Sequence, residues 1–120
     1  MTTSKMIRGV LKLPGQPATV HSVHAGLKGL QDVVGGLIDA PYMPGLNERG
    51  VTMWINDEGK CLSLDPNFPI YDGQDFVAGP AFFTGHDDEG ETVSLTTVQE
   101  RATLAWLATL PVLIAVRLDD

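Results

Sequence analysis

The sequence holds a single cysteine, Cys61, so no internal disulfide can form and a reducing compartment fits. No nearby histidine or second cysteine completes the four ligands of a structural zinc site, and no cofactor is expected. Basic residues are scarce: eight Lys and Arg stand against fifteen Asp and Glu, a formal charge of −7. They form no run that could neutralise successive phosphates, so direct nucleic-acid binding is not expected. Long apolar runs are missing too. The longest uncharged apolar-rich stretch, "ATLAWLATLPVLIAV" at 102–116, falls short of the ~20 residues a spanning helix needs, and Pro111 interrupts it. No membrane role is expected. "MTTSKMIRGV" has no apolar core of signal-peptide length, and the expectation is a cytoplasmic protein.

What is present suits one globular domain over 1–120, with a short leader at 1–5 and an apolar tail at 111–120. Apolar residues make up 43% and charged residues 19%, which argues against disorder. The charge is uneven. Residues 1–60 carry six Lys/Arg against five Asp/Glu, and residues 61–120 carry two against ten. Solubility is the ordinary reading of such a balance, and attraction to a basic partner is the functional one.

The periodicity predicts an α+β fold: a small antiparallel or mixed sheet of about five to seven strands packed with two helices. "MIRGVLKL" and "ATVHSV" read as a hairpin across "PGQP". Leu27, Leu30 and Val34 fall on one helical face, ended by Gly35 or Gly36 in the left-handed conformation. "LIDAPYM" and "VTMWIND" are further strands, and "NDEGK" reverses the chain into "CLSL". "DPNFP" breaks the pattern. A strand pair then runs across "FVAGPAFFTG" and "ETVSL". A second helix starts with a capping box of Thr97 and Glu100, buries Val98, Ala102, Leu104, Ala105 and Leu107, and stops at Pro111 before a final strand, "VLIAVRL".

Several residue groups imitate chemistry. "HDDEGE" (86–91) offers oxygens and a glycine to a hard cation, but its acids are contiguous and no glutamate closes the loop, so a hairpin tip is the better reading. His21 and His24 lack further ligands apart from His86, and Ser22 beside them reads as a helix cap. Gly35 and Gly36 belong to no phosphate-binding loop. Trp54 and Trp106 read as core.

The ordered set "GLKGLQDVVGG", "NDEGKCLSLDPN", "DFVAGPAFFTG" and "SLTTVQ" resembles the DUF3846 family, a domain of unknown function of phages and bacteria, over about residues 6–108. The matching positions are Gln31, Gly35, Gly36, Asn56, Gly59, Asn67 and Gly79. The chain departs from the family pattern in its leader before Met6, in "LDPN" where a Pro-Pro-Asn step is usual, and in the tail after Pro111. The resemblance implies a small α+β fold and a phage or mobile-element origin. It implies no established activity and no catalytic residues.

With no catalytic constellation in view, the expectation is a non-enzymatic accessory protein that binds a host or phage protein, with Asp87, Asp88, Glu89 and Glu91 as its acidic contact loop. A second reading is a binder of a nucleotide signal, using Trp54, Asn56, Asn67 and Tyr71. Its phosphates would need Arg8, Lys12 or Lys28 from a second copy. A third is a hydrolase pairing Asp72 or Asp75 with His86, and a fourth a structural protein assembling as a homo-oligomer through the tail.

Overall fold

The computed structural model describes residues 5–111 and Leu113. Strands β1 (Met6–Lys12), β2 (Thr19–His24), β3 (Ile38–Asp39), β4 (Val51–Asn56), β7 (Ala81–His86) and β8 (Thr92–Val93) form one antiparallel sheet, in the order β2-β1-β7-β4-β3 with β8 added to β7. β5 (Pro66–Ile70) and β6 (Asp75–Ala78) form a second, two-stranded sheet. Helices α1 (Leu27–Val34) and α2 (Thr97–Thr109) complete the α+β architecture.

Strand alternation divides the core into two layers. Ile7, Val23, Phe82 and the half-buried Trp54 point to one face and meet Leu30 of α1. Val10, Met53 and Phe83 point to the other, where they meet Leu107 of α2 and Phe68, Ile70 and Val77 of the small sheet. Trp106 stands edge-on to both Phe68 and Phe83, with centroids 6.0 Å away in each case, and so ties α2 to both sheets. Such aromatic contacts add about 0.5–1.5 kcal/mol beyond area burial.

Local expectations hold where short-range chemistry decides them. The first hairpin forms, and Gly35 ends α1 at φ 80°. Others are displaced. The capping box belongs to Thr96 and Gln99: Thr96 Oγ1 accepts from the Gln99 amide at 3.1 Å, and Gln99 Oε1 accepts from the Thr96 amide at 2.9 Å. Glu100 instead accepts from Arg8 Nε at 2.8 Å. Val98 is 78% exposed and Leu27 59%, and Ala102 and Ala105 are exposed too, so each buried helical face is narrower than the pattern predicts. All of "DPNFP" but Asp65 is strand. Its prolines are tolerated because, among the described residues, β6 is the one strand paired with β5 and the register shifts between Pro66 and Pro69; on its other side the Asn67 carbonyl accepts from the Leu113 amide at 3.4 Å. "CLSL" is a turn, closed by Leu62 and Leu64 amides donating to the Glu58 and Gly59 carbonyls at 2.8 and 2.9 Å. Ser22 lies within β2 and does not cap α1, whose first position follows Gly26. The tail strand after Pro111 lies outside the described residues, apart from Leu113.

Candidate functional site

Asn56 and Asn67 are both buried, and both spend their amides inside the protein. Asn56 Nδ2 donates to the Val34 carbonyl at the end of α1, 3.2 Å away, while its Oδ1 accepts from the Glu58 amide at 2.8 Å and shapes the turn after β4. Asn67 Nδ2 donates to the carbonyls of Lys12 (2.7 Å) and Gly79 (2.9 Å), and its Oδ1 accepts from Lys12 Nζ at 3.0 Å. Trp54 Nε1 donates to Thr84 Oγ1 at 2.9 Å on the α1 face. Of the four residues expected to share a pocket, Asn56 and Tyr71 line one cleft, and Trp54 and Asn67 do not reach it.

The acidic loop is the tip joining β7 to β8. Asp87 Oδ1 accepts from the amides of Glu89 and Glu91, both at 2.9 Å, and the Asp87 and Glu91 backbones close the turn at 3.0 Å. Asp87, Asp88, Glu89 and Glu91 are all exposed. Among the described residues no cluster of three or more His, Cys, Asp or Glu side chains is placed to hold a metal.

The cleft containing Asn56 and Tyr71 measures about 360 Å³ and lies at the opposite end of β4, about 17 Å of strand away. Three segments build it: Asp39 from β3, the 56–61 turn, and the β5–β6 hairpin. The turn packs straight onto β6 because residue 59 is glycine; a Cβ there would come 2.3 Å from the Ala78 carbonyl oxygen. Lys60 pairs with Asp75 and lies 4.9 Å from the centroid of the Phe76 ring. The Lys60 bond, then the Phe76 amide, hold the Asp75 carboxyl below the usual carboxylate range. The hairpin turn carries Tyr71 at φ 52° and Asp72 at φ 55°, a left-handed pair that bulky side chains adopt only at a cost. Tyr71 Oη donates to the Tyr42 carbonyl at 2.6 Å, which holds the ring at the rim. Tyr71 and Phe76 remain 40% and 39% exposed.

This arrangement suits binding. Carboxylates flanked by aromatic rings match an ammonium or guanidinium group. The residues of the hydrolase reading come from different elements: Asp72 and Asp75 belong to the small-sheet hairpin, whereas His86 ends β7 with its Nδ1 2.8 Å from Thr52 Oγ1. His21 and His24, an odd number of positions apart on β2, face opposite sides of the sheet. Sequence reasoning missed Asp39, Asp57, Lys60 and Phe76, since each sits in an ordinary turn or strand and only the fold joins them. Among the described residues no helix is long and apolar enough to cross a membrane.

Fold and site together define a small α+β domain with a cleft between two sheets. Residues 7–107 match the family model of DUF3846, a domain of unknown function, and the chain belongs to that family. No curated protein and no solved structure matches it. The positions that carry the family resemblance fall into two contacting groups. The Gln31 carbonyl accepts from the amides of Gly35 and Gly36, a Cβ on Gly36 would come 2.9 Å from Asn56 Nδ2, and Asn67 bonds to Gly79. They brace the junctions between α1 and β4 and between β1 and the small sheet.

Proposed function

We propose that this chain is a non-enzymatic accessory protein, of phage or other mobile-element origin, that binds a protein partner by receiving a basic segment in the Asp39–Asp57–Asp75 cleft. The supporting observation is the charge count within that cleft. Lys60 is already neutralised by Asp75, and Asp39 and Asp57 have no ion-pair partner among the described residues. Exposed Tyr71 and Phe76 add the flat apolar contact that guanidinium groups use. The acidic tip at 87–91 then acts at longer range, raising the rate of encounter rather than holding the complex.

The test uses a partner captured from host lysate and then purified. Against the unaltered chain, D39N/D57N is expected to weaken affinity by about tenfold and flatten its salt dependence. Neutralising Asp87, Asp88, Glu89 and Glu91 should slow association and leave dissociation unchanged. Unchanged affinity in D39N/D57N would sink the cleft, and loss confined to the loop variant would move the site to the tip. Sequestration of a nucleotide signal is the weaker reading, because the cleft has no cation to spare for phosphate. A nucleotide that stabilised the chain by about 2.7 kcal/mol at a hundred times its dissociation constant would reverse that order.

A further inference from the structure

Lys12 ends β1 on the α2 face and is only 6% exposed. Its Nζ donates to the Leu13 carbonyl at 2.9 Å and to Asn67 Oδ1 at 3.0 Å. An ammonium has three protons to donate, and the third has no acceptor among the described residues. No carboxylate pairs with it there either. Asn67 cannot turn aside to leave the site, since its Nδ2 is fixed by two carbonyls. Burial accordingly pushes the Lys12 ammonium below its usual pKa.

Lys12 lines a cavity of about 430 Å³, within the size range of small-molecule sites. Phe68, Leu104, Leu107, Leu110 and Ala18 supply much of its wall, and no other lining residue titrates. A buried charge is costly until an opposite charge meets it, and an apolar wall beside it favours a ligand with a hydrocarbon body. We propose that this cavity binds a small aliphatic carboxylate, with the carboxylate on Lys12 Nζ and the chain against Phe68, Leu104 and Leu107. One ammonium among apolar walls is a poor match for a phosphate, which carries more charge than the site can neutralise.

Calorimetric titration of the full chain with octanoate, and separately with octanol, tests this. Octanoate should bind saturably at one site, at least tenfold tighter than octanol. Equal affinities, or no octanoate binding at millimolar concentration, would overturn the proposal, and this comparison needs no variant. Lys12→Met keeps the side-chain length and removes the charge. Where it melts cooperatively, it should bind octanoate no better than octanol; octanoate affinity retained in a folded K12M protein would overturn the assignment equally.

Discussion

At the tip between β7 and β8 the acidic side chains are neighbours in the chain, and Asp87 uses its carboxylate to tie down the amides of Glu89 and Glu91. In the cleft at the other end of β4, Asp39, Asp57 and Asp75 arrive from three separate segments to line one space, and only Asp75 pairs with its lysine. The contrast separates two origins of acidic density. Contiguous acids make a turn, because Asp readily bonds the backbone amides that follow it. Acids assembled by the fold create a local field that no turn requires, and there the left-handed backbone falls on Tyr71 and Asp72, whereas at the tip it falls on a glycine, Gly90.

The largest expected effect comes from loosening the scaffold under one region only. Asn67→Leu strands the Lys12 ammonium and two carbonyls beneath the small sheet, and should lower stability by about 3 kcal/mol in urea unfolding. At the tip, Asp87→Ala gives up exposed turn bonds and should cost about 1 kcal/mol or less. Glycine substitutions separate the two regions through sterics. Gly59→Ala drives a methyl into the Ala78 carbonyl and should cost about 1–3 kcal/mol. Gly90→Ala meets open space and suffers only its φ of 80°, about 1 kcal/mol. The order of the two melting points decides; a tip more sensitive than the cleft turn would contradict the packing described.

Relief of strain is a smaller effect of opposite sign. Asp72→Asn, better suited to φ 55°, should raise stability by about 0.5 kcal/mol without altering the hairpin. The smallest effect is on pH dependence. Asp75 has a folded-state pKa below its ordinary 3.8, so the unfolded chain binds the proton more readily. Its contribution is complete above 3.8 and fades as pH falls through the lower, folded value. Asp75→Asn should flatten the acid limb of the stability curve over that window, and an unchanged limb would show that solvent screens the Lys60 pair entirely.

Most elements were legible in the sequence because their causes are local. Alternating "VTMWIND" and the turn residues of "PGQP" need no tertiary knowledge. The errors fall where distant groups intervene. Glu100 looks like a capping partner of Thr97 until Arg8 claims it from across the molecule. The prolines of "DPNFP" look like breakers until β5 is placed in a two-stranded sheet whose register shifts between Pro66 and Pro69. Asn67 sits in that pattern-breaking stretch, yet it is a strand residue whose three side-chain bonds join β1, β5 and the Gly79 carbonyl. The cleft was partly legible at most: Asn56 and Tyr71 can be picked from the chain, while Asp39, Asp57, Lys60 and Phe76 acquire their meaning only from proximity.

The position of β7 has a consequence for how the molecule is made. It lies between β1 and β4, although both are synthesised well before it, so Val10 and Met53 must each wait for Phe83. Until residues 81–86 leave the ribosome, the β1–β2 hairpin and the β3–β4 pair are two fragments with bare apolar edges facing the same gap. Pairing across such sequence separation is slow. The emerging chain is therefore most open to aggregation, or to protection by a chaperone, during the interval before its seventh strand closes the sheet.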